Sequence, residues 1–116
     1  MSPSIEHLAA DQFLLVVTTV GSPEEARHMA RSLVEQQLVA CAQINAIESF
    51  YHWEGAVQHD PEWRVVCKTQ RHLYEQVQAA IQALHRYEIP AIHAVAVAAI
   101  ETTYGDWVHS HCKPSV

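Results

Sequence analysis

Glycine is scarce, with three in 116 residues. That leaves no Gly-rich loop to wrap a phosphate. No "SxxK"-like or Ser-His-Asp arrangement of the kind a nucleophilic enzyme needs is legible either. The reading is therefore of a protein that is not an enzyme and needs no organic cofactor. Basic runs are absent as well. Seven Lys and Arg face 13 Asp and Glu, a net charge of −6, which excludes nucleic-acid binding driven by phosphate neutralisation. The three cysteines, Cys41, Cys67 and Cys112, are odd in number and share no C-x-x-C spacing, so reduced thiols are expected rather than a disulfide framework. No apolar run approaches a membrane span. The start, "MSPSIEHLAADQ", lacks the basic segment and apolar core of a signal peptide. The expected setting is the cytoplasm, with neither membrane nor nucleic acid as a partner.

What is present fits one globular domain, with 49% hydrophobic residues and a common domain length. So small a domain buries a limited share of its surface, which makes oligomerisation a natural supplement. Nine histidines are many for this length. His28, His59 and His72 each adjoin a charged residue and read as surface positions.

Residues 1–11 are polar, carry Pro3, and read as a flexible arm before a single domain over 12–116. "FLLVVTTV", 13–20, is apolar and β-branched, as in a strand covered on both faces. Ser22, Pro23 and Glu25 then spell an N-cap, a first-turn proline and a capping box. Ala26, Met29, Ala30, Leu33 and Val34 continue at helical spacing for about four turns. Residues 39–53 look like a strand of unusual length, with a bulge expected near Asn45 and Ala46. Residues 54–62, holding Gly55, Asp60 and Pro61, read as a hairpin loop, and 63–69 as the returning strand. A second helix is expected over about 70–85, ended by Pro90. "AIHAVAVAAI", 91–100, reads as a fourth strand whose Ala94, Ala96 and Ala98 allow close packing. The tail "TTYGDWVHSHC" suits a short helix or strand.

The order β-α-β-β-α-β plus a tail matches the ferredoxin-like α+β sandwich. Right-handed crossovers place both helices on one sheet face. No further helices are available for the other face, so another chain is the economical cover.

Five stretches in order, "LVEQQLVACAQI", "SFYHWEG", "CKT", "LHRYEIPAI" and "YGDW", resemble the CutA divalent-cation tolerance family over about residues 13–110. The resemblance implies a ferredoxin-like homotrimer bound up with copper and other divalent cations in metal tolerance. It also implies that the long second strand and its hairpin reach a neighbouring subunit. Where the family reads His-Pro-Tyr-Glu, this chain reads His-Arg-Tyr-Glu.

Two sets of candidate residues follow. His85 and Glu88, three apart at a helix end, offer imidazole and carboxylate to Cu(II), Zn(II) or Ni(II). The same residues also serve a plain helix end, with His85 facing the negative pole of the dipole and Glu88 solvated. Cys41 is a third candidate ligand, or a buried small hydrophobe like Cys67. Cys112, near the end, is expected to be exposed. The second set is Tyr51, Trp53, Lys68 and Tyr87, whose family counterparts line a cleft between subunits. Aromatic walls with a lysine resemble a small-ligand pocket, and equally a packed interface. The alternative function is thus a scaffold or sensor like the PII signalling trimers, binding a small ligand in that cleft.

Overall fold

Four antiparallel strands form one sheet, lying across it in the order second, third, first, fourth of the chain. The computed structural model describes residues 5–115. It runs β1 (Phe13–Val20), α1 (Pro23–Glu35), β2 (Cys41–Trp53), β3 (Ala56–Gln70), α2 (Tyr74–Leu84), β4 (Ile92–Ala96) and α3 (Thr102–Ser110), with short 3-10 turns at Ile5–His7 and Arg71–Leu73. This is the expected ferredoxin-like α+β arrangement with a C-terminal helix added.

Alternation along β1 builds the core. Leu14, Val16, Thr18 and Val20 are buried, while Leu15, Val17 and Thr19 between them are only partly covered. Successive strand residues point to opposite faces, so one face is sealed and the other is not. The sealed face meets Ala26, Met29 and Leu33 of α1, Val77 and Ile81 of α2, and Val65 and Cys67 of β3. Each fully buried Leu, Ile or Met contributes about 1.5–3 kcal/mol.

The N-cap forms as read, and the Glu25 side chain closes on the Ser22 hydroxyl where a capping box would use the Ser22 backbone N–H. The Glu25 N–H donates to Ser22 Oγ at 3.1 Å, and the Ser22 hydroxyl donates to Glu25 Oε1 at 3.3 Å. At its far end α1 turns through Gln37 at φ 57, and the Leu38 N–H returns to the Leu33 carbonyl at 3.1 Å, a left-handed cap usually given to glycine.

Several expectations change. The β2–β3 loop shrinks to Glu54 and Gly55, both at positive φ (50° and 79°), as a two-residue type I′ hairpin turn requires. The pairing then runs unbroken from Trp53↔Ala56 to Cys41↔Lys68, so no bulge interrupts 45–46. Pro61 sits inside β3 opposite Glu48. It is tolerated because β1 ends at Val20, opposite Trp63, which leaves β3 an edge strand there. Helix α2 starts only at Tyr74, after a 3-10 turn. β4 is half the expected length. Cys112 is buried, 6% exposed, in the core, because α3 folds its Val108 side back onto the sheet. His72 is no free surface residue: its ring nitrogens lie 3.0 Å from the Ala10 carbonyl and 2.7 Å from that of Lys113.

The proposed arm over 1–11 falls partly outside the described residues. From Ile5 onward it is tied down, since Arg71 Nε donates to the Ile5 carbonyl at 2.7 Å and the Arg71 N–H to that of Gln12 at 2.8 Å. Among the described residues no helix is long and apolar enough to cross a membrane.

Candidate functional site

Odd-numbered residues of β2 pair with even-numbered residues of β3, and each pair shares one sheet face. Cys41, Tyr51 and Trp53 therefore lie on the same face as Asp60, Glu62 and Lys68. This is the incompletely covered face, which also carries Leu15 and Val17 at the centre, with Val66 and Val95 beside them. Val95 is 49% exposed.

One cluster forms at the Val20 end of β1. The Tyr87 hydroxyl donates to Glu62 Oε2 at 2.8 Å, and the Tyr51 hydroxyl donates to Asp60 Oδ2 at 2.6 Å. Glu62 is only 8% exposed, so its carboxylate depends on that phenol. Burial, followed by the bond to Glu62, pushes the Tyr87 phenol far above its ordinary value. The bond to Asp60 raises Tyr51 too. Glu25 adds negative charge, and its Oε2 is buried without a hydrogen-bond partner among the described residues. A Cβ at position 21 would stand 3.1 Å from the Tyr87 oxygen, so the glycine leaves room for the phenol.

His85 serves this cluster from the end of α2, which it caps with an extended backbone (ψ 141). Its Nε2 lies 2.7 Å from the Thr19 carbonyl, and its Nδ1 accepts the Tyr87 N–H at 3.2 Å. A carbonyl only accepts and a backbone N–H only donates, so the ring is the Nε2–H tautomer. Both nitrogens are thereby engaged in holding the 85–87 turn, with the rings of His85 and Tyr87 4.8 Å apart. Glu88 is exposed in the following loop.

A second cluster lies at the other end of the sheet. The Lys68 ammonium stands 5.3 Å from the centroid of Tyr104, an attractive cation–π distance. Contact with Tyr104 raises Lys68 above its ordinary value, against the opposing effect of burial. Cys41, half-buried, is directly opposite Lys68 in the ladder. Here Lys68 and Tyr104 line a groove of ≈ 320 Å³ with an apolar floor that includes Leu15 and Val97.

The candidate residues thus fall into two groups. Tyr51, Tyr87 and His85 gather at one end, and Lys68 and Cys41 at the other. The pairings Tyr51↔Gln58 and Cys41↔Lys68 are ten residues apart, roughly 33 Å of strand. Cys41 likewise stands four rows from the Thr19 row that holds His85, roughly 13 Å along the sheet. Among the described residues no three His, Cys, Asp or Glu side chains are grouped to hold one metal ion. Asp60, Glu62 and Tyr104 are site residues that the sequence reading missed. With 54–62 taken as loop, the strand parity that places Asp60 and Glu62 beside Tyr51 was lost.

The family of the CutA1 divalent ion tolerance protein matches residues 14–111. The divalent-cation tolerance protein CutA of Pyrococcus horikoshii is 32% identical over 100 residues, covering 86% of this chain and 98% of that one. The protein of the same description from Thermus thermophilus is 37% identical over 98 residues, covering 84% and 95%. The crystal structure of CutA1 from Oryza sativa superposes with a TM-score of 0.87 at 30% identity, over 91% of this chain and 98% of that one.

Proposed function

This chain belongs to the CutA1 divalent ion tolerance family, and we propose that it works in divalent-cation tolerance as a homotrimer with its working residues in clefts between subunits. The observation that carries this reading is the division of Tyr51, Trp53 and Tyr87 from Lys68 along one sheet face. A cleft that uses them together needs Lys68 from one copy and the hairpin end of another. The same face offers Leu15, Val17, Val66 and Val95 for burial against a neighbour. Beyond them Tyr51 and Trp53, 41% and 38% exposed, continue this face onto the hairpin. A cleft so built pairs an ammonium from one subunit with acid-bonded phenols from another, and suits a small polar ligand.

Light scattering on a sizing column tests the assembly. Three times the chain mass of 13.1 kDa is expected, and a monomer at micromolar concentration overturns it. For the cleft, a ligand-induced thermal shift should vanish in Lys68→Ala and survive in His85→Ala.

A metal-binding reading rests on the 85–88 segment. Glu88 is exposed, and the longer of the two His85 contacts, at Nδ1, is the one whose release frees a lone pair for Cu(II) or another divalent ion. Cys41 would join only through assembly. Calorimetry with Cu(II) and Zn(II) decides it: saturable binding weakened by His85→Ala supports the segment, and binding indifferent to His85 removes it.

A further inference from the structure

Residues 70–72, where β3 gives way to α2, hold the segment before β1 in place. Gln70 Nε2 donates to the Asp11 carbonyl at 3.1 Å. Arg71 donates its N–H to the Gln12 carbonyl and its Nε to that of Ile5. His72 reaches further, to both ends of the chain at once. Its backbone N–H donates to the Ala10 carbonyl at 3.0 Å. Its ring Nδ1 lies 3.0 Å from that same oxygen, and its Nε2 lies 2.7 Å from the Lys113 carbonyl. The Lys113 N–H in turn donates to the Gln37 carbonyl at 2.8 Å. The partly covered His72 ring therefore links the segment before β1 to the segment after α3.

The two acceptors dictate the charge of the ring. A peptide carbonyl only accepts, so each ring nitrogen has to donate. Neutral imidazole carries one N–H, and only imidazolium carries two. His85 shows the contrast, since its partners are one carbonyl and one N–H, which a neutral ring satisfies. At His72 a neutral ring turns a lone pair toward a carbonyl oxygen. The bond that gives way is the one at Nδ1, because it is the longer and because the Ala10 carbonyl keeps the His72 backbone N–H.

We infer that His72 is a protonation-dependent clasp between the two ends of the chain. As imidazolium it ties Ala10 to Lys113. As the neutral Nε2–H tautomer it keeps Lys113 and loosens Ala10. The tie is complete in acid and weakens as pH rises through the ordinary imidazole value of about 6.5. Other charged and titratable groups lie on the segments that meet here. Before β1 they are Glu6, His7 and Asp11, and at the end of α1 there is Glu35. Beside His72, Arg71 and Glu75 pair with each other at 3.0 Å. After α3 come His109, His111, Cys112 and Lys113. The Nδ1 atoms of His109 and His111 bond to the Gln70 amide and the Trp107 carbonyl. Each of these two rings is satisfied with a single N–H, so neither needs the second proton that His72 needs.

Hydrogen exchange of the full chain, followed by NMR and corrected for intrinsic rates, reads the clasp at the His72 amide. Its protection at about pH 5.5 is expected to exceed that at about pH 8 roughly five-fold, the worth of one hydrogen bond. The Lys113 amide should hold its protection at both, which separates the clasp from a change in global stability. In His72→Gln, whose side chain does not titrate, the amide of residue 72 should be equally protected at both. Nitrogen NMR of the parent ring stands whether or not the variant folds. It should find hydrogen on both ring nitrogens in acid and on Nε2 alone at about pH 8. Equal protection of the parent at the two pH values overturns the clasp. So does the same difference persisting in His72→Gln, or hydrogen on Nδ1 alone in the neutral ring.

Discussion

The Tyr87 hydroxyl stands 2.8 Å from Glu62 Oε2 and joins the loop after α2 to the middle of β3. Tyr87→Phe keeps the ring and removes the donor. It leaves the largely buried Glu62 without its phenol, and a loss of about 1–2 kcal/mol is expected. Chemical denaturation with unchanged m-value checks it. No loss of stability would mean that water replaces the phenol and that the bond orders the loop without stabilising it.

The same pair sets an alkaline limit. Tyr87 holds its proton more tightly folded than unfolded, so its contribution is complete below the unfolded tyrosine value of about 10. It is lost as pH rises from there through the raised folded value. Stability measured from pH 8 to 11 should fall above about pH 10, and the fall should be shallower in Tyr87→Phe. Equal slopes would remove Tyr87 as the source.

Two backbone positions predict opposite outcomes for opposite exchanges. Gly55 has φ 79 with open space where a Cβ would stand, so Gly55→Ala pays only the left-handed conformation, about 1 kcal/mol. Gln37 already bears that strain at φ 57, so Gln37→Gly should stabilise by up to about 1 kcal/mol. Thermal melts of both variants read the signs directly. A stabilising Gly55→Ala would contradict the type I′ turn.

Burial pushes the Cys67 thiol up to about 12 and raises that of Cys112. Both should be inert to a thiol reagent at pH 8. In Cys41→Ser, labelling should proceed only at the rate of global unfolding, and become complete in denaturant. Rapid labelling of the native variant would show that α3 opens on its own.

Much of the fold was legible because it rests on local chemistry. Ser22, Pro23 and Glu25 set the start of α1 through bonds within one turn, and the apolar run of β1 announces a central strand. The β2–β3 hairpin was misread for a physical reason. Asp60-Pro61 is turn chemistry in isolation, and only the absence of β1 beside Pro61 lets it continue as strand. Cys112 was misplaced because its burial comes from α3 packing on β3, a contact that no short-range pattern encodes.

The sequence by itself determined the fold class, the capped first helix and the family, since these follow from periodicity and from motifs in order. It also marked Tyr51, Lys68, His85 and Tyr87 as residues of interest. Only the tertiary structure decided where they stand and what they touch. Strand register put Tyr51 and Lys68 on one face but roughly 33 Å apart, and the approach of β1 occupied His85 Nε2 through the Thr19 carbonyl. Distances across a sheet are set by pairing partners far apart in the chain, and spacing along the sequence does not contain them.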